Sequence, residues 1–293
     1  MITAIILSKD RASQLHLLLE SIQRNSGNLF DIRVIYEASN AVFERGYQKT
    51  KEEFYYKDRY GFGFPIKWYK RENKNLSLDI IERLSDRDLT CVFNDENIVF
   101  ERLPSYKKIM ELFRNEAISA LSLRIGNNTV IQNPYKINDY FIDKPKKGEF
   151  ILDKFMIWNA SDVKPFTNFA MPFSHNGHIY TTKLIKFILE RTDIPSNEDF
   201  EKNLQDNLYM GLFDGFIPPY MTCLEYSAVI TNVAKKISDE RGSDFGTSEF
   251  GLNDRYLSHS RIDYDFFDFR YVSKPYQEFI TRFKIEDYMQ YGR

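Results

Sequence analysis

No apolar run in this sequence approaches the ~20 residues needed to cross a bilayer. The N-terminal run, Ile2 to Leu7, covers six residues and lacks a basic leader, so it does not read as a secretory signal. The expected location is the cytoplasm, with peripheral contact at the cytoplasmic face of a membrane as the outer limit. Cysteine is scarce: Cys91 and Cys223 stand in apolar contexts, "LTCVF" and "YMTCLEY", and read as two buried thiols. Neither CxxC nor Cys/His zinc spacing occurs. Charge of one sign is lacking too, with 40 basic residues against 42 acidic ones and a net charge of −2. Without a basic field, a nucleic-acid binder is not expected. An anionic small ligand, by contrast, needs only a local basic site. Internal repeats, low-complexity tracts and linkers are absent, which favours a single domain.

What is present is core material. The 293 residues are 43% hydrophobic and include 25 Phe and 19 Tyr, so the chain can bury a large core and disorder is not expected. Ile2 to Leu7 suits a strand buried on both faces of a parallel sheet. After the polar loop Ser8 to Arg11, Leu15, Leu18, Leu19 and Ile22 mark one face of a helix from about Ser13, its expected N-cap. Ile32 to Tyr36 is the second strand, giving a β-α-β opening with a right-handed crossover. One or two short helices are expected between Ala38 and Tyr56. A strand at Ile66 to Tyr69, a helix at Leu76 to Leu84 and a strand at Leu89 to Phe93 should follow.

Further on, the pattern predicts a helix around Tyr106 to Phe113, strands at "AISALSLRIG" and Phe155 to Trp158, and a turn at Asn176-Gly177. Helices follow at Thr182 to Glu190 and from Ser196, a candidate cap, to about Phe213. A late strand is expected over Cys223 to Ile230, and a helical tail from Pro275. This alternation predicts an open, mostly parallel α/β sheet flanked by helices. Ligands bind such sheets beyond the carboxyl ends of the strands. The loops Ser8 to Arg11, Glu37 to Asn40 and Asn94 to Asn97 all lie there.

"CVFNDENIVF" puts Asp95, Glu96 and Asn97 just after a buried strand. Carboxylates and an amide oxygen suit a hard divalent ion, and an extended chain would put Asp95 and Asn97 on one side. Taken alone, the stretch reads more simply as a polar turn between strands. The order of features resembles the GT-A glycosyltransferases, especially bacterial inverting, family 2-like enzymes of polysaccharide synthesis. The resemblance rests on "AIILSKDRASQLHLLLESI", on "CVFNDENIVF" in the place of the D-x-D motif, and on "RVIYEASNAVFERGY", "ALSLRIG" and "LNDRYLSHSRID". Arg11 and Asp95 stand 84 residues apart, a spacing similar to that of the family. The departure is Asn97, where the motif has aspartate.

The resemblance implies a GT-A-like (Rossmann-like) domain with a nucleotide-sugar-binding half (1–100), a modified acceptor and catalytic half (101–235) and a C-terminal extension (236–293). It implies a nucleotide-sugar donor, UDP- or dTDP-linked, a glycan or lipid-linked glycan acceptor, and transfer with inversion. Mn²⁺ or Mg²⁺ would sit on Asp95 and Asn97. The donor would meet Ser8, Asp10, Arg11, Glu37, Asn40, Lys74, Asp95 and Glu96. Inverting transfer needs a general base, which the family carries near the start of a helix in its second half. In "IPSNEDFEKNLQDNL" the candidates are Glu201 and Asp199, with Glu198 as a rival. Acidic residues in a first helical turn also simply favour the helix dipole. His16 reads as a surface residue, and His175, His178 and His259 read as structural before functional. Lys235, Lys236, Arg241, Arg255 and Arg261 give the C-terminal third local positive charge.

Two other classes compete. A sugar-phosphate nucleotidyltransferase would carry a Gly-rich loop after the first strand, and "LSKDRASQ" has no glycine. A non-catalytic glycan-binding protein derived from the same fold is the other.

Overall fold

The computed structural model describes residues 1–61, 63–132, 140–141, 145, 149–151, 155–165, 167–232, 236–238, 244–246, 248–277 and 279–285. In chain order the elements are β1 (Ile2–Lys9), α1 (Ala12–Asn25), β2 (Phe30–Glu37), α2 (Ala41–Arg59), β3 (Ile66–Lys70), α3 (Leu76–Glu82), β4 (Leu89–Asn94) and β5 (Asn97–Val99). Next come α4 (Tyr106–Leu112), β6 (Ile118–Ser122), β7 (Ile131–Gln132), β8 (Tyr140–Phe141), β9 (Glu149–Ile151), β10 (Phe155–Asn159), β11 (His178–Thr181), α5 (Thr182–Leu189) and α6 (Asp199–Tyr209). The chain continues with β12 (Tyr220–Leu224), β13 (Val229–Thr231), β14 (Lys236–Ser238), β15 (Asp244–Gly246), α7 (Glu249–Leu257), β16 (Ser260–Ile262) and β17 (Phe283–Ile285).

One nine-stranded sheet organises the molecule, in the order β3-β2-β1-β4-β11-β6-β12-β10-β9. The β3, β2, β1 and β4 strands are mutually parallel, as the β-α-β opening requires. Only β11 and β10 run against the other strands, so the sheet is mostly parallel. Side-chain alternation distributes β1 to two cores. Ile2, Ala4 and Ile6 face Leu15, Leu18, Leu19 and Ile22 of α1, with Tyr47 and Phe54 of α2. Ile5 and Leu7 face Leu76 and Ile80 of α3, the apolar side of α5, and Phe200 and Leu204 of α6. Both faces are thus covered by helices, which explains why β1 is apolar at nearly every position. Cys91 and Cys223 are buried free thiols, as their contexts predicted.

Several expectations change. Where one or two short helices were expected between Ala38 and Tyr56, the chain forms the single 19-residue helix α2, capped by Asn40, whose side chain accepts from Val42 N and Phe43 N. α1 begins at Ala12, so Ser13 lies inside the helix, and the N-cap position falls to Arg11 without a side-chain bond. Likewise α6 begins at Asp199 and Ser196 does not cap it. The late strand is two: β12 in the main sheet, and β13 paired antiparallel with β5. The tail from Pro275 is not helical through residue 285; Tyr276 bridges to Thr231, and β17 pairs with β16. Residues 286–293 lie outside the described residues.

α7 was not expected at all. Its signals were Ser248, whose hydroxyl accepts from Gly251 N, and Leu252 and Tyr256 four apart on the buried face. Nearby glycines masked them. α7 docks on α2 so closely that a Cβ on Gly46 would lie 2.1 Å from Asn253 Oδ1, so only glycine fits there. Among the described residues, no helix is long and apolar enough to cross a membrane.

Candidate active site

Strand register brings the predicted loops together. Leu7 pairs with Asn94 and Lys9 with Glu37, so the chain segments after β1, β2 and β4 leave one edge of the sheet. Because β11 runs antiparallel to β4, with His178 opposite Val92, the loop that precedes β11 starts from that same edge. A sequence gap of about 80 residues thus closes into direct contact between Asn94 and His175.

Asn94 to Asn97 form a tight turn between β4 and β5. Asp95 is 2% exposed; its Oδ2 accepts from Lys9 N at 3.2 Å, and its Oδ1 has no hydrogen-bond partner. Burial pushes this carboxyl up to about 7, despite Arg11 Nη1 at 3.8 Å from Oδ1. Glu96 instead receives Arg11 in a short charge-assisted bond, and Glu249 at the start of α7 accepts from Arg11 Nη2 at 3.2 Å. One guanidinium therefore faces three carboxylates.

Asn97 is turned away from them. Because the chain turns instead of staying extended, Asp95 and Asn97 do not share a side. Asn97 is fully buried; its Oδ1 accepts from Asn94 N at 2.9 Å. Its Nδ2 donates to Asn176 Oδ1 at 2.9 Å and to Thr231 Oγ1 at 3.1 Å. The oxygen expected to serve a metal instead closes the turn in this structure. Among the described residues, no three His, Cys, Asp or Glu side chains cluster as a metal cage. The unpartnered Oδ1 of Asp95 is one hard oxygen donor. That suits an ion of the Mg²⁺ type, which uses one or two carboxylates and takes its remaining ligands from a bound diphosphate and water.

The other predicted donor residues separate. Ser8 is buried, with its hydroxyl 2.7 Å from Tyr47 OH, which also accepts from Arg11 N at 3.2 Å. Sequence reasoning missed Tyr47, the residue that shapes this loop. Asp10 adopts a left-handed φ of 58° and accepts from Ser39 N at 2.7 Å, clipping the first loop to the second. Glu37 is held by Arg71 Nη1 at 2.7 Å and Lys9 Nζ at 3.3 Å. Asn40 is occupied as the α2 cap. The Lys74 side chain is exposed, and its carbonyl accepts from Arg71 Nη2 at 2.7 Å.

The candidate bases also part. Glu201 is buried in a polar cluster. Its Oε1 accepts from Ser174 Oγ and from Asn176 Nδ2 at 2.7 Å, and Oε2 accepts from Tyr276 OH at 3.2 Å. Arg124, also buried, lies 3.6 Å from Oε1 and donates to Tyr276 OH and to Asn168 Oδ1. A carboxylate so enclosed neutralises Arg124 and is not open to an acceptor. Asp199 is half-buried, and its Oδ2 accepts from Ser196 Oγ at 2.7 Å. Glu198, one residue before the helix, is exposed. Burial pushes its carboxyl up, but hydrogen bonds from its own N–H and Ser196, with the charges of Lys9 and Arg11, outweigh that and hold it below the usual range.

His16, His175 and His178 are buried, where the sequence suggested surface or left the matter open, and His259 is exposed. His16 sits against Phe54 and Tyr256, with Nε2 2.8 Å from Glu53 Oε2. Burial, with Arg124 nearby, pushes His178 down to about 3. His175 is also pushed down by burial; its Nε2 accepts from Asn94 Nδ2 at 3.0 Å, and its ring packs on Phe200 at 5.2 Å. His259 has a left-handed φ of 64° just past α7. Arg255 lies over the Phe283 ring, 5.5 Å from its centroid. Lys235, Arg241 and the Lys236 side chain lie outside the described residues.

No family model matches the chain, and no curated protein is similar to it in sequence. Among solved structures, it is similar to S. aureus TarS 1-349 in complex with UDP, with 11% identity and a TM-score of 0.46 over 78% of this chain and 59% of that one. It is also similar to the mannosyltransferase PcManGT from Pyrobaculum calidifontis in complex with GDP-Man and Mn²⁺, at 12% identity, TM-score 0.33, and 65% and 46% of the two chains. Mouse xyloside xylosyltransferase 1 is similar at 8% identity and TM-score 0.27, over 42% and 52%. The chain thus spans about three-fifths of the length of the TarS chain it matches.

Proposed function

We propose that this chain is a glycosyltransferase that moves a sugar from a UDP- or dTDP-linked donor to a hydroxyl of a glycan or lipid-linked glycan, with inversion. One observation carries the reading. Arg11 and the buried Asp95 meet at the carboxyl ends of β1 and β4, and the charge of Arg11 helps hold the carboxyl of Glu198, the residue before α6, below the usual range. A nucleoside diphosphate needs a cation at such an edge, and Arg11 offers a planar fork suited to phosphate oxygens.

The chemistry follows from these residues. A carboxylate of the Glu198–Asp199 pair takes the proton of the acceptor hydroxyl. That oxygen attacks the anomeric carbon from the face opposite the diphosphate, and the diphosphate leaves with the electron pair of the broken C–O bond. Arg11 stabilises the charge that develops on the leaving oxygens. A divalent ion bound with the donor would supply further neutralisation, with Asp95 as its protein ligand. Glu201 is assigned no proton transfer, because Arg124 and the hydrogen-bonding side chains of Ser174, Asn176 and Tyr276 enclose it.

Calorimetry with UDP, with and without Mn²⁺, tests the reading, followed by nucleotide release from UDP-glucose, UDP-N-acetylglucosamine and GDP-mannose. Binding and release support it. No nucleotide binding under either condition refutes it. Glu198→Gln and Asp199→Asn, made singly, identify the base as the one whose loss stops release and spares UDP binding.

A further inference from the structure

We infer that the loop 174–176 is a clamp that fixes the donor turn against the first turn of α6, with Asn176 and His175 as positioning residues for the proton acceptor. The inference rests on the transferase reading and goes beyond it. It concerns residues that touch neither donor nor acceptor in that reading.

Each end of the donor turn is gripped separately. Asn94, the last residue of β4, donates to His175 Nε2 at 3.0 Å. Asn97, the first residue of β5, donates to Asn176 Oδ1 at 2.9 Å. On its other side, the same loop grips α6. Asn176 Nδ2 donates to Glu201 Oε1 at 2.7 Å, Ser174 donates to the same oxygen, and the His175 ring lies 5.2 Å from that of Phe200. Phe200 and Glu201 directly follow the Glu198–Asp199 pair. Asn94 to Asn97 likewise enclose Asp95 and Glu96.

The clamp is built to be stiff. Asn176 and His175 are 2% and 6% exposed, and Ser174 is fully buried. The loop is tied to itself, since Asn176 N donates to Ser174 Oγ at 3.1 Å and Tyr180 OH donates to Ser174 O at 2.7 Å. Gly177, at φ 76°, then turns the chain into β11. Because Asn94 can only donate through Nδ2, His175 Nε2 is the acceptor and its proton lies on Nδ1. That N–H faces Glu201 Oε1 at 3.6 Å. The side chains of this loop are themselves uncharged, so they hold distance without adding charge to the cleft. The donor turn and the base-bearing start of α6 lie about 100 residues apart in sequence, and this loop bonds to the segments that carry both.

Asn176→Ala tests the clamp, with UDP as the binding probe and nucleotide release from UDP-sugars as the rate probe. A base displaced by about 1 Å costs on the order of 10²-fold in rate. The expected result is a fall in kcat of that order, with UDP affinity within about twofold of the parent chain. The pH profile of kcat should also move, because the displaced carboxylate loses its place beside Lys9 and Arg11. His175→Phe, which keeps the ring on Phe200 and removes the acceptor for Asn94, should split kcat from affinity the same way and serves if Asn176→Ala does not fold. A folded variant of either kind with kcat within threefold of the parent overturns the inference, as does an equal loss of rate and UDP affinity. A parent chain that binds no UDP overturns the transferase reading itself and this inference with it; a parent that binds and releases nucleotide leaves the two separable.

Discussion

Replacing Asn97 by aspartate writes the D-x-D motif back into the sequence, and motif logic expects tighter metal binding from it. The structure predicts a weaker protein instead. Asn97 Nδ2 gives two buried hydrogen bonds, at 2.9 Å to Asn176 and 3.1 Å to Thr231. An aspartate keeps the Oδ1 bond from Asn94 N but sets a second acceptor against Asn176 Oδ1. The Thr231 hydroxyl now donates to that same oxygen of Asn176, at 3.2 Å. It can turn to serve the new carboxylate only by abandoning Asn176. One buried acceptor stays unsatisfied either way, at about 1–3 kcal/mol, and a charge in that position adds more. Scanning calorimetry of Asn97→Asp at pH 7 should show a Tm lower by about 2–12 °C, at roughly 2–4 °C per kcal/mol for a chain of this size, and the charge shifts it toward the upper end. The buried carboxyl is disfavoured when charged, so its pKa rises and the deficit should shrink toward pH 5, where a protonated oxygen can donate to Asn176. Mn²⁺ affinity should not rise. An unchanged or higher Tm with tighter Mn²⁺ binding would refute this account of the turn.

Three further outcomes are expected. Arg11→Ala should weaken UDP binding by at least about tenfold, since it removes a charge-assisted pair of bonds worth roughly 1.5–3 kcal/mol each; isothermal calorimetry reads this, and unchanged affinity would remove Arg11 from the donor site. Asp95 has a folded pKa raised from 3.8 to about 7, so its contribution is present below pH 3.8 and is lost as pH rises toward 7. Asp95→Asn should therefore gain stability relative to the parent between pH 4 and 7, by up to ~1.4 kcal/mol per pH unit in chemical denaturation, and a constant difference would contradict the burial argument. Glu201→Ala should cost about 3–5 kcal/mol, because it leaves Arg124 buried without its carboxylate; a loss below about 1 kcal/mol in urea unfolding would show that Arg124 has another counterion.

Much of the fold was legible because it rests on local pattern. Continuous apolar runs gave β1 and β4, and the 3.6-residue period gave α1, α5 and the body of α6. α7 escaped because its packing partner is α2, some 200 residues earlier, and a glycine-studded segment hid its four-residue period. The site was legible in outline. Asp95, Glu96 and Arg11 meet as the loop argument required, but Asn97 does not join them, because a two-residue turn replaces the extended chain on which the shared side depended.

The sequence by itself determined the alternating strands and helices of the first half, that loops after β1, β2 and β4 share one edge, and that an acidic turn stands on that edge. These follow from hydrophobic period and chain connectivity, which are local or nearly so. Only the tertiary structure decided which polar groups are free to do chemistry. Glu201 and Asp199 are two residues apart and look equivalent in sequence. One points inward to Arg124, Asn176 and Tyr276, while the other lies at the rim beside Ser196. The partners that separate them come from residues 124, 174–176 and 276, and burial against those partners is a property of the fold alone.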